Sequence, residues 1–337
     1  MNLKELAAQL GLSKATVSRA LAGHSDISVQ TRERVRKAAE ETGYIPAATA
    51  LKLRSGKSGA FGMVLPHGGP APFAPFHTEL IGGMAERVAE AGLDLIVTAP
   101  PPQGDEVTAL RRLVEGRRVD GIVLTRIRRD DERLDYLMER RFPFATFGRT
   151  AISDRHPWLD VDGHTAMLVA TRRLIGLGHR RIAHIAAPSI FVSAAHRRTG
   201  YHKALLEAGL PIDETLALVA DIAGEFAVDP IYELLHAHKD VTALLCDTDA
   251  MAMSALKAVR RLGKQPGSDI SVVGYGDMPF ASQTEPALTT SGFRTRAAGR
   301  RLIEMLMEHL AGEPAQSLQE LWMPHLLVRQ SDGPAPI

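Results

Sequence analysis

Residues 3–23 read LKELAAQLGLSKATVSRALAG, and this stretch decides how the chain begins. Leu3, Leu6, Ala7 and Leu10 recur at helical spacing and make one apolar stripe. Gly11 then breaks the helix, because glycine takes the left-handed backbone of a tight turn without steric cost. Ser13 is placed to cap a second helix from Lys14 to Leu21, whose inner face is Val17, Ala20 and Leu21. Its outer face carries Lys14, Ala15, Thr16, Ser18 and Arg19. Two short helices joined by a glycine turn, the second with a polar outer face, form a helix-turn-helix, whose second helix enters the DNA major groove.

The neighbouring residues extend this unit. Asn2 and Glu5 form a capping-box pattern at the start of the first helix. Ser28 caps a third helix, with Val35, Ala38, Ala39 and Thr42 facing inward and Gly43 ending it, and Pro46 closes the unit. Charge agrees with this reading. The whole chain carries only +1, which by itself argues against wholesale nucleic-acid binding. Up to Lys57, however, Lys4, Lys14, Arg19, Arg32, Arg34, Arg36, Lys37, Lys52, Arg54 and Lys57 outnumber Glu5, Asp26, Glu33, Glu40 and Glu41, leaving about +5. A basic head on a mildly acidic body is the footprint of a DNA reader attached to something else.

That something else is large. At 337 residues the chain has room for two or three domains, and 45% hydrophobic with 23% charged residues is ordinary for a soluble protein. The single cysteine, Cys246, excludes an internal disulfide and fits a reducing cytoplasm as a small core residue. Lys4 and Glu5 interrupt any apolar leader, and no stretch approaches the ~20 apolar residues of a membrane span. The expected location is the cytoplasm, with no membrane partner.

From Ala60 short apolar runs alternate with amphipathic helices. Strands are expected at Phe61–Leu65, Leu93–Thr98, Gly121–Thr125 and Phe144–Phe147. A second series begins near Val161, with strands at Arg181–Ala187, Leu216–Ala220, Val241–Cys246 and Ile270–Tyr275 and a helix from Phe226 to His238. Such alternation implies parallel sheets covered on both faces. Two in succession make a bilobed binding domain with its ligand at the carboxyl ends of the strands.

The run at 3–23, with ISVQTRERVRKAAEETGYIP at 27–46, resembles the DNA-binding head of the LacI/GalR repressors. The resemblance continues in TRRLIGLGHRRIAHI (171–185), RRTGYHKALLEAGLP (197–211), DVTALLCDTDAMA (240–252), SVVGYGDMP (271–279) and PALTT (286–290). It implies an all-α helix-turn-helix head with a hinge helix, followed by an α/β bilobed periplasmic-binding-protein-like domain. The expected boundaries are 1–46 for the head, 47–58 for the hinge and linker, 59–330 for the bilobed domain and 331–337 for a tail. Lobe one is expected at about 59–158 plus 292–320, and lobe two at about 159–291 plus 321–330. The elements Arg294–Leu310 and Leu321–Val328 are expected to cross back between lobes.

In the family the hinge folds in the minor groove, where a leucine wedges between base pairs. Leu53 takes that position here, and an apolar wedge of this kind bends the duplex. The alternative is that Leu53 packs on the effector domain. The family's usual Asn after the proline is Ala47 here. Gly56–Ser58 reads GKS, but a phosphate loop would need an upstream glycine where Leu51 stands, and a preceding strand.

Family register points Lys14, Ala15 and Arg19 toward base edges. Arginine bonds guanine at two acceptors, and Ala15 offers an apolar contact. Ser13, Thr16 and Ser18 suit phosphate oxygens, which position without reading sequence. One head offers few base contacts, so a homodimer on a near-palindromic double-stranded operator is expected. In the effector domain Arg197 matches the family arginine of Arg-x-x-Gly-aromatic (Arg197, Gly200, Tyr201), a rigid fork suited to sugar hydroxyls. Phe73, Phe76 and Phe293 are candidates for stacking on a ligand, or else for plain core packing.

Three departures from sugar-binding members stand out. Thr248-Asp249 replaces Asn-Asp, Gly276-Asp277 replaces Asp-Asp, and Gly148-Arg149 lacks an acidic residue before Thr150. Fewer hydroxyl-reading acceptors imply a larger or less densely hydroxylated effector, such as a disaccharide or glycoside. His164, His179, His184, His196, His202, His236 and His238 make no HExxH arrangement, so no metal is expected. No nucleophile elbow, paired-Cys motif or dinucleotide glycine signature is present, so neither enzymatic activity nor a cofactor is expected. The leading reading is a dimeric repressor of carbohydrate genes released by a sugar. The alternatives are control by a protein partner or non-sugar metabolite, or a transport-type solute-binding protein.

Overall fold

The computed structural model describes residues 1–21, 23–44, 57–66, 75–100, 104–221 and 227–336. It falls into two compact units, Met1–Ser58 and Gly59–Ile337. The expected hinge helix, with Ala47 and Leu53, lies outside the described residues, as does the expected helix start at Phe226.

The first unit contains α1 (Leu3–Leu10), α2 (Lys14–Leu21) and α3 (Val29–Thr42). The Asn2 side chain accepts from the N–H groups of Lys4 and Glu5 at 3.0 and 3.1 Å, and Glu5 accepts from the Asn2 N–H at 3.0 Å. Gly11 ends α1 in the left-handed region at φ +64, where a side chain would be strained. Ser28 accepts from the Thr31 N–H at 3.2 Å and caps α3. Leu6, Val17, Ala20, Val35, Ala38 and Ala39 meet in one buried cluster. Fully burying a Leu or Val side chain contributes about 1.5–3 kcal/mol, so this small cluster is the main force holding three short helices together. Thr42 differs from expectation. It is half-buried, and its hydroxyl donates back to the Ala38 carbonyl at 2.6 Å rather than packing inward.

In the second unit β1 (Ala60–Val64), β2 (Asp94–Thr98), β3 (Gly121–Leu124), β4 (Phe144–Phe147) and β5 (Trp158–Val161) build one sheet. A second sheet holds β6 (Ile182–Ala186), β7 (Ala217–Val219), β8 (Ala243–Cys246), β9 (Ser271–Gly276) and β10 (Thr289–Gly292). Finally β11 (Gln319–Trp322) joins the first sheet beside β5, and β12 (His325–Leu327) joins the second beside β10. The orders are β2-β1-β3-β4-β5-β11 and β7-β6-β8-β9-β10-β12, parallel throughout except for the antiparallel β10–β12 pair. The helices on these sheets are α4 (Pro75–Glu90), α5 (Glu106–Val114), α6 (Glu132–Glu139), α7 (Gly163–Gly176), α8 (Val192–Glu207), α9 (Val228–Ala237), α10 (Asp249–Arg261) and α11 (Thr295–Leu310).

Helices α4 and α11 pack backbone to backbone. A Cβ on Gly299 would run into the Leu80 carbonyl, and one on Gly83 into the Arg296 carbonyl. The missing side chains let the two backbones touch, and α11 belongs wholly to the first lobe.

Three sequence expectations change. The run Leu321–Val328 does cross between the lobes, with β11 in lobe one and β12 in lobe two, but the crossing comes after Trp322 rather than at 321. The strand β5 keeps the chain in lobe one through Val161, beyond the expected change near 158. Residues 331–333, expected in the tail, pack into lobe two. The Ser331 hydroxyl donates to the Val272 carbonyl at 2.6 Å, and buried Asp332 accepts from Thr289 and Arg173.

The chain therefore passes between lobes at 162, at 293–294 and at 323–324. A further tie forms without a crossing. Residues 127–129 of lobe one meet 190–192 of lobe two in an antiparallel bridge, where the Val192 N–H donates to Ile127 O at 3.0 Å and the Arg129 N–H to Ile190 O at 2.9 Å. No helix among the described residues is long and apolar enough to cross a membrane.

Candidate functional site

On the first unit, α2 buries Val17 and Ala20 and leaves Lys14, Ala15 and Arg19 exposed along its outer face. The Ser13 hydroxyl accepts from the Thr16 N–H at 3.0 Å and lies 2.8 Å from the Thr16 hydroxyl, so Ser13 caps α2. Thr16 and Ser18 are half-buried. Arg19 forms an exposed ion pair with Asp26 across the following loop. Such pairs contribute about 0–1 kcal/mol, so the guanidinium is held in place yet readily exchanges its partner. Leu53 lies outside the described residues.

On the second unit, a cleft opens between the lobes at the carboxyl ends of both sets of strands, as the topology requires. It holds about 150 Å³ of space, against the ~10–15 Å³ that one water occupies, so it is sized for a ligand. One wall is aromatic. Ring centres run from Phe76 to Phe147 (5.2 Å), on to Phe293 (5.8 Å) and then to Tyr275 (5.9 Å). Phe293 stands where the chain passes from β10 to α11, which places it between the lobes. Phe73 lies outside the described residues.

Arg197 on α8 closes this wall, its guanidinium carbon 4.9 Å above the Tyr275 ring. It donates to the Ser193 carbonyl (3.3 Å), the Ser193 hydroxyl (2.9 Å) and the Asp247 carbonyl. Asp247, 0% exposed, also accepts from the Ala187 N–H at 2.8 Å and meets His184 Nε2 at 2.9 Å. Burial alone would raise the Asp247 carboxyl; the charges of Arg197 and His184 and the hydrogen bonds hold it below the ordinary value.

Thr248 and Asp249 both reach the cleft wall, but each is engaged. Thr248 accepts from the Met251 N–H at 3.1 Å and caps α10. Asp249 accepts from the Met278 N–H at 2.7 Å and the Thr290 hydroxyl at 2.5 Å, tying α10 to the ends of β9 and β10. Gly276 lines the cleft at φ +131. Asp277 does not line it; its carboxylate accepts from Arg329 at 2.6 Å. Residue type alone does not show which of two neighbouring positions a strand end turns inward.

Burial pushes the Asp249 carboxyl up to about 6, against its two hydrogen bonds. A carboxyl raised on folding stabilises the fold fully below its unfolded value of 3.8, and that contribution is lost as pH climbs through about 6. Asp249→Asn can still accept from Met278 and donate to Thr290 Oγ1. Denaturant curves at pH 4 to 7 are therefore expected to show wild-type stability falling relative to this variant by an amount on the order of 2–3 kcal/mol between pH 4 and 6. Parallel curves would remove Asp249 as the titrating group.

Several cleft residues escaped sequence reasoning. Gly148-Arg149 is not short of an acid, because Asp160 on β5 brings one from the next strand, 2.7 Å from Arg149 Nε. Ser193 and His196 sit one turn and one residue before Arg197, and His196 Nδ1 is 3.3 Å from Arg149. Arg126 follows the carboxyl end of β3, the position that the general rule for such sheets marks for ligands. Its backbone is left-handed at φ +51. Buried Arg133 holds that turn, donating to the Thr125 and Arg126 carbonyls at 3.2 and 3.1 Å. Arg133 is itself clamped by Asp131 and Glu106, both buried. Among the described residues no group of three or more His, Cys, Asp or Glu is placed to hold a metal.

Comparison with known proteins agrees with both units. Residues 2–47 match the profile of bacterial regulatory proteins of the lacI family, and residues 171–331 match a periplasmic binding protein-like domain. The HTH-type transcriptional regulator AglR of Rhizobium meliloti is 35% identical over 340 residues, covering 100% of this chain and 95% of that protein. CelR of Thermobifida fusca is 33% identical, covering 98% and 97%. Among solved structures, the transcriptional regulator CelR in complex with cellobiose superposes with a TM-score of 0.76 at 32% identity, over 98% of this chain and 99% of that one. The lac repressor dimer bound to operator and an anti-inducer superposes with a TM-score of 0.81 at 26% identity, over 98% of each chain.

Proposed function

The chain belongs to the LacI family of bacterial regulatory proteins and is a DNA-binding transcription regulator, and from this premise we propose how its two units divide the work. Two copies read a near-palindromic operator in the cytoplasm, each through α2, with Arg19 bonding a guanine and Lys14 and Ala15 beside it. The cleft takes a carbohydrate of disaccharide or glycoside size, and its closure shifts operator affinity, so that sugar releases repression. By linkage, DNA changes sugar affinity by the same factor. The observation that carries this reading is the aromatic wall ending on Arg197. Flat rings accept the apolar faces of sugars, while a guanidinium in a fixed fork donates to adjacent hydroxyls. Relatives support it, since CelR is solved with cellobiose.

The test is to select an operator from randomised duplex DNA and follow its binding by fluorescence anisotropy, with and without cellobiose, maltose, melibiose and raffinose. One of these sugars is expected to shift the operator Kd by about tenfold or more; no shift with any of them overturns the carbohydrate reading. In the same assay Arg19→Ala is expected to lose about 1–3 kcal/mol of discrimination at one base pair per half-site while other positions keep theirs. An unchanged binding profile across operator variants removes Arg19 from the base readers.

A further inference from the structure

The aromatic wall has an arginine at each end, and only one of them is engaged. Arg197, at the Tyr275 end, is held by Ser193 and Asp247. At the other end stands His77, its ring 5.2 Å from that of Phe76 and within the field of Arg126. Both His77 and Arg126 line the cleft. Among the described residues the Arg126 guanidinium makes no hydrogen bond and no ion pair. Burial works against its charge, and only the more distant fields of Asp221 and Glu106 favour it. His77 is buried, and its Nδ1 also has no hydrogen-bond partner among the described residues.

His77 Nε2 lies 3.4 Å from the hydroxyl of Thr125, the residue before Arg126, and two unanswered polar groups lining one cleft ask for a particular ligand chemistry. A guanidinium only donates. Burial, and then the Arg126 charge, hold His77 down at about 3, so its imidazole is neutral. In the tautomer whose Nε2–H donates to the Thr125 hydroxyl, 3.4 Å away, Nδ1 carries a lone pair and accepts. Neighbouring hydroxyls on a sugar ring satisfy both groups, one accepting from Arg126 and the other donating to His77. A carboxylate satisfies only the first. The Arg133 cluster fixes the left-handed turn from which the Arg126 side chain starts toward the cleft.

We propose that Arg126 and His77 form an outer subsite that reads two neighbouring hydroxyls on the second ring of a two-ring neutral carbohydrate, the first ring lying against Phe293 and Tyr275. This deepens the carbohydrate reading of the cleft and rests on it. The ring-to-ring steps of 5.2, 5.8 and 5.9 Å along the wall give length for more than one sugar ring. Asp221, which follows β7 in the second lobe, sends its field to Arg126, so the subsite lies where the lobes approach.

The experiment is calorimetric titration of the full-length protein with cellobiose, maltose and melibiose, with the methyl glycosides of glucose and galactose, and with cellobiouronate as the acidic arm. Wild type is expected to bind one neutral disaccharide at least about tenfold tighter than either methyl glycoside. Arg126→Met is expected to erase most of that preference, weakening the disaccharide by about tenfold or more and the methyl glycoside by less than about twofold. His77→Phe is expected to act in the same direction. A thermal midpoint measured without sugar reports whether each variant folds; a misfolded Arg126→Met is replaced by Arg126→Gln, which keeps donors and is expected to retain part of the preference. Equal losses for one-ring and two-ring sugars, or no loss, overturn the outer subsite alone. Tighter binding of cellobiouronate than of cellobiose overturns the hydroxyl assignment. Failure of every sugar to bind overturns this proposal together with the reading beneath it.

Discussion

Arg133→Leu is expected to lower the stability of the second unit by about 3–5 kcal/mol, a large part of the roughly 5–15 kcal/mol that holds a typical domain folded. Arg133 is 1% exposed and joins Asp131 and Glu106, which are 4% and 3% exposed. Burial alone would raise the Asp131 carboxyl, yet hydrogen bonds and charge from Arg133 keep it below the ordinary value. Removing the cation takes from two buried carboxylates the partner they share, with half-buried Arg128 still 2.6 Å from Glu106. Urea denaturation followed by circular dichroism measures the loss. Adding Glu106→Gln and Asp131→Asn to Arg133→Leu is expected to restore much of the stability, since the cost lies in unpaired charge. A single-variant loss below about 1 kcal/mol would show that the cluster is well solvated and sink the argument.

Arg197→Leu is expected to abolish the sugar response. Its guanidinium is the only cation placed over Tyr275 among the described residues; its bonds to the Ser193 carbonyl and hydroxyl brace it on its own helix, and its bond to the Asp247 carbonyl ties α8 to the end of β8. The expected loss of sugar affinity is about 100-fold or more, with operator binding in the absence of sugar reporting whether the head still folds. Arg197→Lys is expected not to rescue, because an ammonium cannot donate in parallel to several fixed acceptors and stack on a ring. A lysine variant that responds to sugar like wild type would show that charge alone suffices.

The head was legible because its signals are local. Asn2, Gly11, Ser28 and Gly43 each act within a few residues, and the structure finds caps or left-handed turns at all four. The alternation of strands and helices was legible for the same reason. What escaped was non-local. Strand β5 is four residues long and carries Asp160, whose meaning depends on Arg149, two residues past the end of the strand before it. Strands β11 and β12 are separated by two residues and belong to different lobes, a division no periodicity records. Arg126 and His77 are 49 positions apart, and neither belongs to a motif; only the fold makes them neighbours. Asp277 sat in a recognisable motif and still turned toward Arg329 rather than the cleft.

The three adjacent chain passages at 162, 293–294 and 323–324 have a mechanical meaning. A body joined to another by a single strap can twist and swing freely. Three straps set side by side, two of them linked where the Asp162 N–H donates to the Trp322 carbonyl at 2.9 Å, resist twisting and leave bending as the one easy motion. Ligands of different shape then cannot ask for different movements. They vary in how firmly they hold the lobes, and what leaves this unit is a single graded quantity, the degree of closure.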